Sequence, residues 1–129
     1  MTQPTQEQLK ELIELYQSGK LDEAEIEVQK LLKQFPNDLT CLNILGVITD
    51  RKGQTEKAIK IYQKALQINE NSAETHFNIG SILHRLGRSN EARISYKKAI
   101  TIKPDFLNAY FNLGLVYQNL QSYKEAIEN

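Results

Sequence analysis

A step of 34 residues recurs along the chain and constrains its fold more than any other feature. This step separates the members of three residue series: Ala24, Ala58, Ala92 and Ala126; Gly46, Gly80 and Gly114; and Gly19, Gly53 and Gly87. A fixed period of this size is typical of proteins built from stacked, nearly identical supersecondary units. After a polar lead over 1–4, the sequence therefore divides into units 5–38, 39–72 and 73–106 and a partial unit 107–129.

Each unit predicts two helices joined by a tight turn. In 73–106, apolar residues recur at helical spacing on both sides of Gly87, which can adopt the left-handed conformation that ends a helix. Gly80 lies inside the first of these helices, where glycine costs about 1 kcal/mol relative to alanine. We therefore expect another helix to approach closely there, with Ala92 as the small partner on the second helix.

Polar side chains at the predicted helix starts indicate N-terminal caps, because their oxygens can accept bonds from the first free backbone N–H groups. The predicted caps are Thr5 with Gln8, Asp22 with Glu25, Asp38 or Asn37, Ser89 or Asn90, and Ser122 with Glu125. In the fourth unit, the last of these pairs would begin a second helix at Tyr123, after a first helix over 107–120. Gln121 stands there at the position of the turn glycines.

One repeated motif identifies a family. The pattern N-x-G-x-x-x-x-x-x-G-x-x-x-E-A-x-x-x-Y-x-x-A, followed by I or L, is carried by 78–100 and nearly by 112–126. It resembles the tetratricopeptide (TPR) repeat, and the resemblance covers nearly the whole chain. The resemblance implies an all-α fold, a right-handed α-solenoid of antiparallel helix pairs, with residues 5–129 forming a TPR domain that binds partner proteins.

Composition excludes several classes of partner. The 16 basic and 16 acidic side chains give a formal net charge of zero, whereas nucleic acids and anionic membranes attract a basic excess. We therefore expect no nucleic-acid and no membrane partner. The chain has one cysteine, no apolar signal segment near its start and no apolar run long enough to span a membrane. These features favour a cytoplasmic location.

The residue types that carry catalysis do not form a recognisable site. His76 and His84 are eight residues apart, which places them two turns from each other on a helix, so we expect no metal site. Cys41 has no second cysteine and no evident base, and we expect a half-buried structural thiol. No phosphate-binding glycine loop or nucleophile motif is present. We therefore expect neither an enzyme nor a bound cofactor or metal.

One face of each first helix does not follow the repeat, and the resemblance implies that this face lines a concave, peptide-binding groove. Its residues are spaced i, i+3, i+7, or lie directly beside that row, so they share one side of the helix. The predicted peptide-binding residues are Ile44, Val47, Arg51, Phe77, Asn78, Ser81, Arg85, Phe111, Asn112 and Leu115. Apolar residues among them favour an extended or helical peptide ligand.

Asn78 and Asn112 occupy equivalent positions one period apart. A side-chain amide can bond both the C=O and the N–H of a peptide backbone, and the pair is similar to the asparagine ladder of the TPR arrays in protein O-GlcNAc transferases. The alternative is that Asn is a common repeat residue here and that the neighbouring aromatic rings pack on the next helix. A carboxylate clamp for chaperone tails is a poor match, because Leu9 and Ile13 occupy its basic and amide positions.

Two further hypotheses stay open beside a peptide-binding scaffold. The chain can be the targeting or substrate-recruiting module of a longer glycosyl-, sulfo- or methyltransferase, and the stop at Asn129 within a predicted helix favours such a fragment. It can also be a self-assembly module. Because no further helix covers the fourth unit, we expect association through the C-terminal end, either end to end or by exchange of the last helix.

Overall fold

The computed structural model describes residues 2–128, and within that range it consists of helices without a strand. The helices are α1 (Gln6–Gln17), α2 (Leu21–Gln34), α3 (Leu39–Arg51), α4 (Thr55–Ile68), α5 (Ala73–Arg85), α6 (Ser89–Ile102) and α7 (Leu107–Glu128). Helices α1 to α6 form three hairpins that follow the predicted units. The all-α prediction is confirmed.

The three hairpin turns close in the same way. Gly19, Gly53 and Gly87 have φ values of 78°, 86° and 79°, and residues with a Cβ atom rarely adopt such positive values. In the last of these turns, the N–H of Gly87 bonds to the His84 carbonyl at 3.0 Å and the N–H of Arg88 to the Leu83 carbonyl at 2.9 Å. The same two bonds close the other turns. They satisfy carbonyls that the end of a helix leaves open.

The first helices of the hairpins carry side-chain caps. Thr5 and Gln8 form the predicted capping box, and Asp38 Oδ2 accepts a bond from the backbone N–H of Cys41 at 3.0 Å. Ser72 caps α5 in the same way. The side chain of each cap therefore fixes the entry of the chain into a hairpin.

The second helices begin without a side-chain cap, so the predicted caps Asp22 and Ser89 were wrong. Each of these helices starts two residues after the turn glycine, and its first flanking residue is Lys20, Gln54 or Arg88. The turn leaves no extended residue whose side chain could fold back onto the helix. Asp22 instead accepts a 2.7 Å bond from Lys52 Nζ, and Ser89 is buried as the first residue of α6.

The fourth unit does not form a hairpin. Helix α7 runs without interruption from Leu107 to Glu128, so the predicted turn, the cap by Ser122 and the separate second helix were wrong. Gln121 stands where the other units have a glycine of positive φ, and a residue with a Cβ atom resists that conformation. The helix therefore continues, and Gln121 Nε2 donates a 3.1 Å bond to Glu125 Oε1 within it.

The chain divides into two compact units, one up to Glu70 and one from Asn71 onwards. The core of the N-terminal unit joins apolar residues of α1, α2 and α3, including Leu12, Val28 and Ile48, which are inaccessible to solvent. The core of the C-terminal unit lies between α5, α6 and α7 and centres on Tyr96 and Val116. Each core is assembled from the stripes that recur at helical spacing.

In the second and third hairpins, a buried tyrosine fills the space beside the glycine inside the first helix. A Cβ atom on Gly80 would lie 2.8 Å from Cε1 of Tyr96, and one on Gly46 would overlap Cε1 of Tyr62. The predicted close approach is therefore confirmed, but its predicted partner, Ala92, was wrong. The residue that occupies the space is large, and the glycine is required because a ring lies directly on the backbone.

We expect Gly80→Ala and Gly114→Ala to change stability in opposite directions. At Gly80 the added methyl group meets the buried Tyr96 ring, and overpacking of this kind should lower the free energy of unfolding by about 1–2 kcal/mol. At Gly114 nothing lies within 4 Å of the added methyl group, so better helix propensity should raise the free energy of unfolding by about 0.5–1 kcal/mol. Urea unfolding followed by circular dichroism measures both, and equal effects would contradict the assigned contact.

Candidate functional site

The C-terminal unit holds several predicted binding residues together through one tyrosine hydroxyl. Asn112 Nδ2 donates to Tyr96 Oη at 3.4 Å, and Tyr96 Oη donates to Ser81 Oγ at 3.3 Å. Ser81 Oγ in turn donates to the Phe77 carbonyl at 3.1 Å. This chain of bonds links α7, α6 and α5, and it fixes the orientation of the Asn112 amide.

Burial governs the chemistry of the Tyr96 hydroxyl. Removal from water raises the pKa of Tyr96, while its bonds with Ser81 and Asn112 act in the opposite direction. Tyr96 therefore keeps its proton at neutral pH and can donate to Ser81 while it accepts from Asn112. The bond uses one N–H of the Asn112 amide, and the amide oxygen and the second N–H lie outside it.

The two aromatic residues of the predicted site have different environments. The Phe77 ring packs against the rings of Tyr96 and Phe106, with centroid distances of 5.8 and 4.9 Å, so it belongs mainly to the core. Phe111, one period later, is 69% exposed, and Leu115 on the same helix is 37% exposed. For Phe77 the structure favours the alternative that was left open, whereas Phe111 is available at the surface.

The remaining predicted residues of the C-terminal unit lie on α5. Asn78 is half-buried and Arg85 is exposed. The structure thus brings Ser81 and Asn112 together through Tyr96, with Asn78 one turn before Ser81 on the same helix. The Tyr96 hydroxyl was not among the predicted binding residues, because from sequence Tyr96 is only the tyrosine of the repeated motif.

In the N-terminal unit the predicted residues all lie on α3. Ile44 and Val47 are half-buried, and Ile44 packs against the core of that unit. The guanidinium carbon of Arg51 lies 4.5 Å from the centroid of the Tyr16 ring on α1. This cation–π contact orients the Arg51 side chain, which sequence spacing alone did not indicate.

The histidines and the cysteine have structural contacts. His76 is buried, and the Nε2 atom of His84 lies 2.8 Å from Asn119 Nδ2. Cys41 was expected to be half-buried but is inaccessible to solvent. Burial, and after it the interaction with Asp38, raises the pKa of the thiol to about 12. Within residues 2–128 no three potential metal ligands cluster, and no helix there combines the length and apolar character that crossing a bilayer requires.

The repeated hairpins and their contacts define a class of helical repeat protein. A family model described as TPR repeat matches residues 51–87 and 80–121, which together span more than half of the chain. The protein therefore belongs to the TPR repeat family. No curated protein sequence matches it significantly.

Solved structures show the same fold. The first TPR domain of human RPAP3 is 19% identical, with a TM-score of 0.81 over 92% of this chain and 93% of that one. The first TPR of Spaghetti (RPAP3), bound to the HSP90 peptide SRMEEVD, is 18% identical, with a TM-score of 0.78 over 94% and 98% of the two chains. An O-GlcNAc transferase mutant from Thermobaculum terrenum is 23% identical, with a TM-score of 0.78 over 84% of this chain and 21% of that one.

We expect the Cys41 thiol to react with the disulfide reagent DTNB only when the protein opens. At neutral pH the reaction should be about 1,000-fold slower or more than in urea, because the thiol is buried and protonated. The folded-state pKa is raised from 9.0 to about 12, so the stability that depends on the neutral thiol is complete below pH 9.0 and is lost as the pH rises towards 12.

The matched control is Cys41→Ala, which lacks the thiol but keeps the tyrosine and lysine side chains that also titrate at alkaline pH. Above about pH 9, the free energy of unfolding of this variant should fall less steeply with pH than that of the wild type. Equal slopes, or rapid reaction of DTNB with the folded protein, would contradict the described environment of Cys41.

Proposed function

We propose that this chain is a protein-interaction module that binds a peptide segment of a partner protein. In the C-terminal unit the binding surface is the face of α5 and α7 that carries Asn78, Ser81, Arg85, Asn112 and Leu115, with Phe111 beside it. The observation that carries the proposal is the position of the Asn112 amide. The hydroxyl of the buried Tyr96 orients this amide, and the exposed side chains of Phe111 and Leu115 lie beside it on α7.

An oriented amide suits backbone recognition. The Asn112 oxygen can accept from a peptide N–H, and its remaining N–H can donate to a peptide C=O. Because Tyr96 already restrains the side chain, less conformational freedom is lost when a peptide binds. Phe111 and Leu115 then offer apolar surface to the side chains of the ligand, which is the usual division between affinity from the main chain and specificity from side-chain contacts.

In the N-terminal unit, α3 contributes Ile44, Val47 and Arg51 to the proposed binding residues. Arg51, held over the Tyr16 ring, suits an acidic or amide group of a ligand. Leu9 and Ile13 on α1 offer apolar surface in place of a basic and an amide side chain. The proposed ligand is therefore a largely apolar segment, in contrast to the acidic HSP90 peptide bound by the structurally similar RPAP3 domain.

A second candidate function places the same module in a longer enzyme. The transferase from Thermobaculum terrenum contains the fold in 21% of its chain, which makes a substrate-recruiting role beside a catalytic domain a second proposal. In both versions the proposed role of these residues is binding without catalysis. The protonated and inaccessible state of the thiol of Cys41 supports this part of the proposal.

We expect Asn112→Ala to weaken the binding of a peptide selected from a displayed library against the wild-type protein. Loss of two backbone-directed bonds should reduce affinity by about 1–3 kcal/mol, roughly 5- to 150-fold. Combining the change with Asn78→Ala should weaken binding further. Isothermal titration calorimetry gives the affinity, and thermal unfolding shows how much stability each variant retains.

Tyr96→Phe is the matched control because it breaks the bond to Asn112 but keeps the amide. It should cost stability of about 1 kcal/mol and reduce peptide affinity less than Asn112→Ala does. Phe111→Ala should weaken binding with little loss of stability, since this ring is 69% exposed. Unchanged affinity in both Asn112→Ala and Phe111→Ala would place the binding site on another surface.

A second measurement tests the class of ligand. We expect the peptide SRMEEVD to bind this chain at least about tenfold more weakly than a selected apolar peptide, because Leu9 and Ile13 offer no charge to its acidic end. Fluorescence anisotropy with labelled peptides compares the two. Tighter binding of SRMEEVD would overturn the proposed ligand class. The proposed role of the Asn112 amide is tested separately, by the affinity of Asn112→Ala.

A further inference from the structure

One stripe of side chains is exposed on α7 but buried at the equivalent positions of α5, the first helix of the preceding hairpin. In α5 this stripe consists of His76, Gly80 and Leu83, and all three are buried. Gly80 and Leu83 pack against Tyr96 of α6. One period later the same positions hold Tyr110, Gly114 and Tyr117, which are exposed; the two tyrosines are 48% and 43% accessible. A stripe built for helix packing is therefore open on α7.

Gly114 indicates what kind of group fits the open stripe. Gly46 and Gly80 each accept a tyrosine ring from an antiparallel helix, whereas Gly114 has nothing within 4 Å of the position where a Cβ atom would lie. Helices can approach closely at such a glycine. The fitting partner is an antiparallel helix that presents a tyrosine at the level of Gly114.

Helix α7 itself presents such a tyrosine. Tyr117 lies one turn after Gly114 on the same stripe, so two antiparallel copies of α7 can place each Tyr117 over the Gly114 of the other copy. This arrangement is two-fold symmetric and self-complementary, as closed homodimer interfaces are. It repeats twice the glycine–tyrosine contact that packs the second and third hairpins.

The charge pattern of α7 also favours a second copy. No residue from Leu107 to Tyr123 is charged, although a quarter of the whole chain is. Residues of α7 itself therefore meet along the stripe without like-charge repulsion. The nearby cation is Lys97 of α6, whose Nζ lies 6.0 Å from the centroid of the Tyr117 ring and whose long side chain can turn its charged end to solvent when a second copy packs there.

When each Tyr117 lies over the Gly114 of the other copy, Lys124 of one copy is level with Leu107 of the other. Asp105 lies two residues before Leu107 and has the charge opposite to that of Lys124.

We propose that the protein forms a two-fold dimer through α7, with Tyr117 of each copy packed on Gly114 of the other. The contact is small, so the dimer belongs to the weak class of protein interfaces and forms as concentration rises through the micromolar range. This proposal is independent of peptide binding, because it uses Tyr110, Gly114 and Tyr117 and not Asn112.

The test is analytical ultracentrifugation of the 129-residue chain over a concentration series up to about 1 mM. The wild type should change from monomer to dimer over this series. Gly114→Glu places two carboxylates near the two-fold axis and should raise the dissociation constant at least about 100-fold. The monomer should keep or gain thermal stability, because a side chain at this position meets open space.

Asn108→Glu is the matched control: it adds the same charge to an exposed position of α7 that lies away from the stripe, and it should dimerise as the wild type does. A wild type that stays monomeric over the whole series would overturn the proposal. Dimerisation of Gly114→Glu equal to that of the wild type would overturn it as well.

Discussion

The contact between a glycine inside a helix and a buried tyrosine ring is the constraint on which the second and third hairpins depend. Tyr62 and Tyr96 are almost completely buried, and each ring lies where a Cβ atom would stand on the opposite helix. The ring supplies a large apolar area to the core, while the missing side chain allows the two helices to approach. Tyr96 has a second role, because its hydroxyl reaches Asn112 and Ser81 at the proposed binding face.

The first hairpin solves the same space problem with side chains of different size. One period before Gly46 and Tyr62 stand Leu12 and Val28, and both are inaccessible to solvent within one core cluster. Leu12 is larger than the glycine at the equivalent position, and Val28 is smaller than the equivalent tyrosine, so the two changes in volume compensate. Cores tolerate exchanges that keep the total volume. This hairpin therefore lacks a tyrosine hydroxyl equivalent to that of Tyr96, so it cannot orient a side-chain amide in the same way.

The sequence predicted those features that depend on local spacing. The 34-residue step and the turn glycines located the first three hairpins, because a left-handed residue and an apolar stripe act within a few residues of the chain. The partner of Gly80 could not be read in this way. Periodicity indicates that a small residue is needed there, but the identity of the group that fills the space depends on the angle and separation of two helices.

The binding face illustrates the same limit. Phe77 and Phe111 are equivalent in sequence, yet one ring packs between Tyr96 and Phe106 and the other is exposed, because α6 and the chain after it cover only the first. The continuous α7 has a similar cause. A single Gln121 in place of glycine removes the turn, and the predicted capping pair that follows it then lies inside a helix.

The continuous helix keeps the two proposed interactions apart. Asn112 and Gly114 are two residues apart on α7, and two residues rotate by about 200° around a helix, so they lie on nearly opposite sides. Asn112 faces Tyr96, whereas Gly114 lies on the open stripe. A second copy on the stripe would therefore leave the oriented amide accessible, and a dimer would present two such amides at once. Because two linked sites raise the apparent affinity for a partner that carries two ligand segments, the open stripe would strengthen binding without any change in the amide itself.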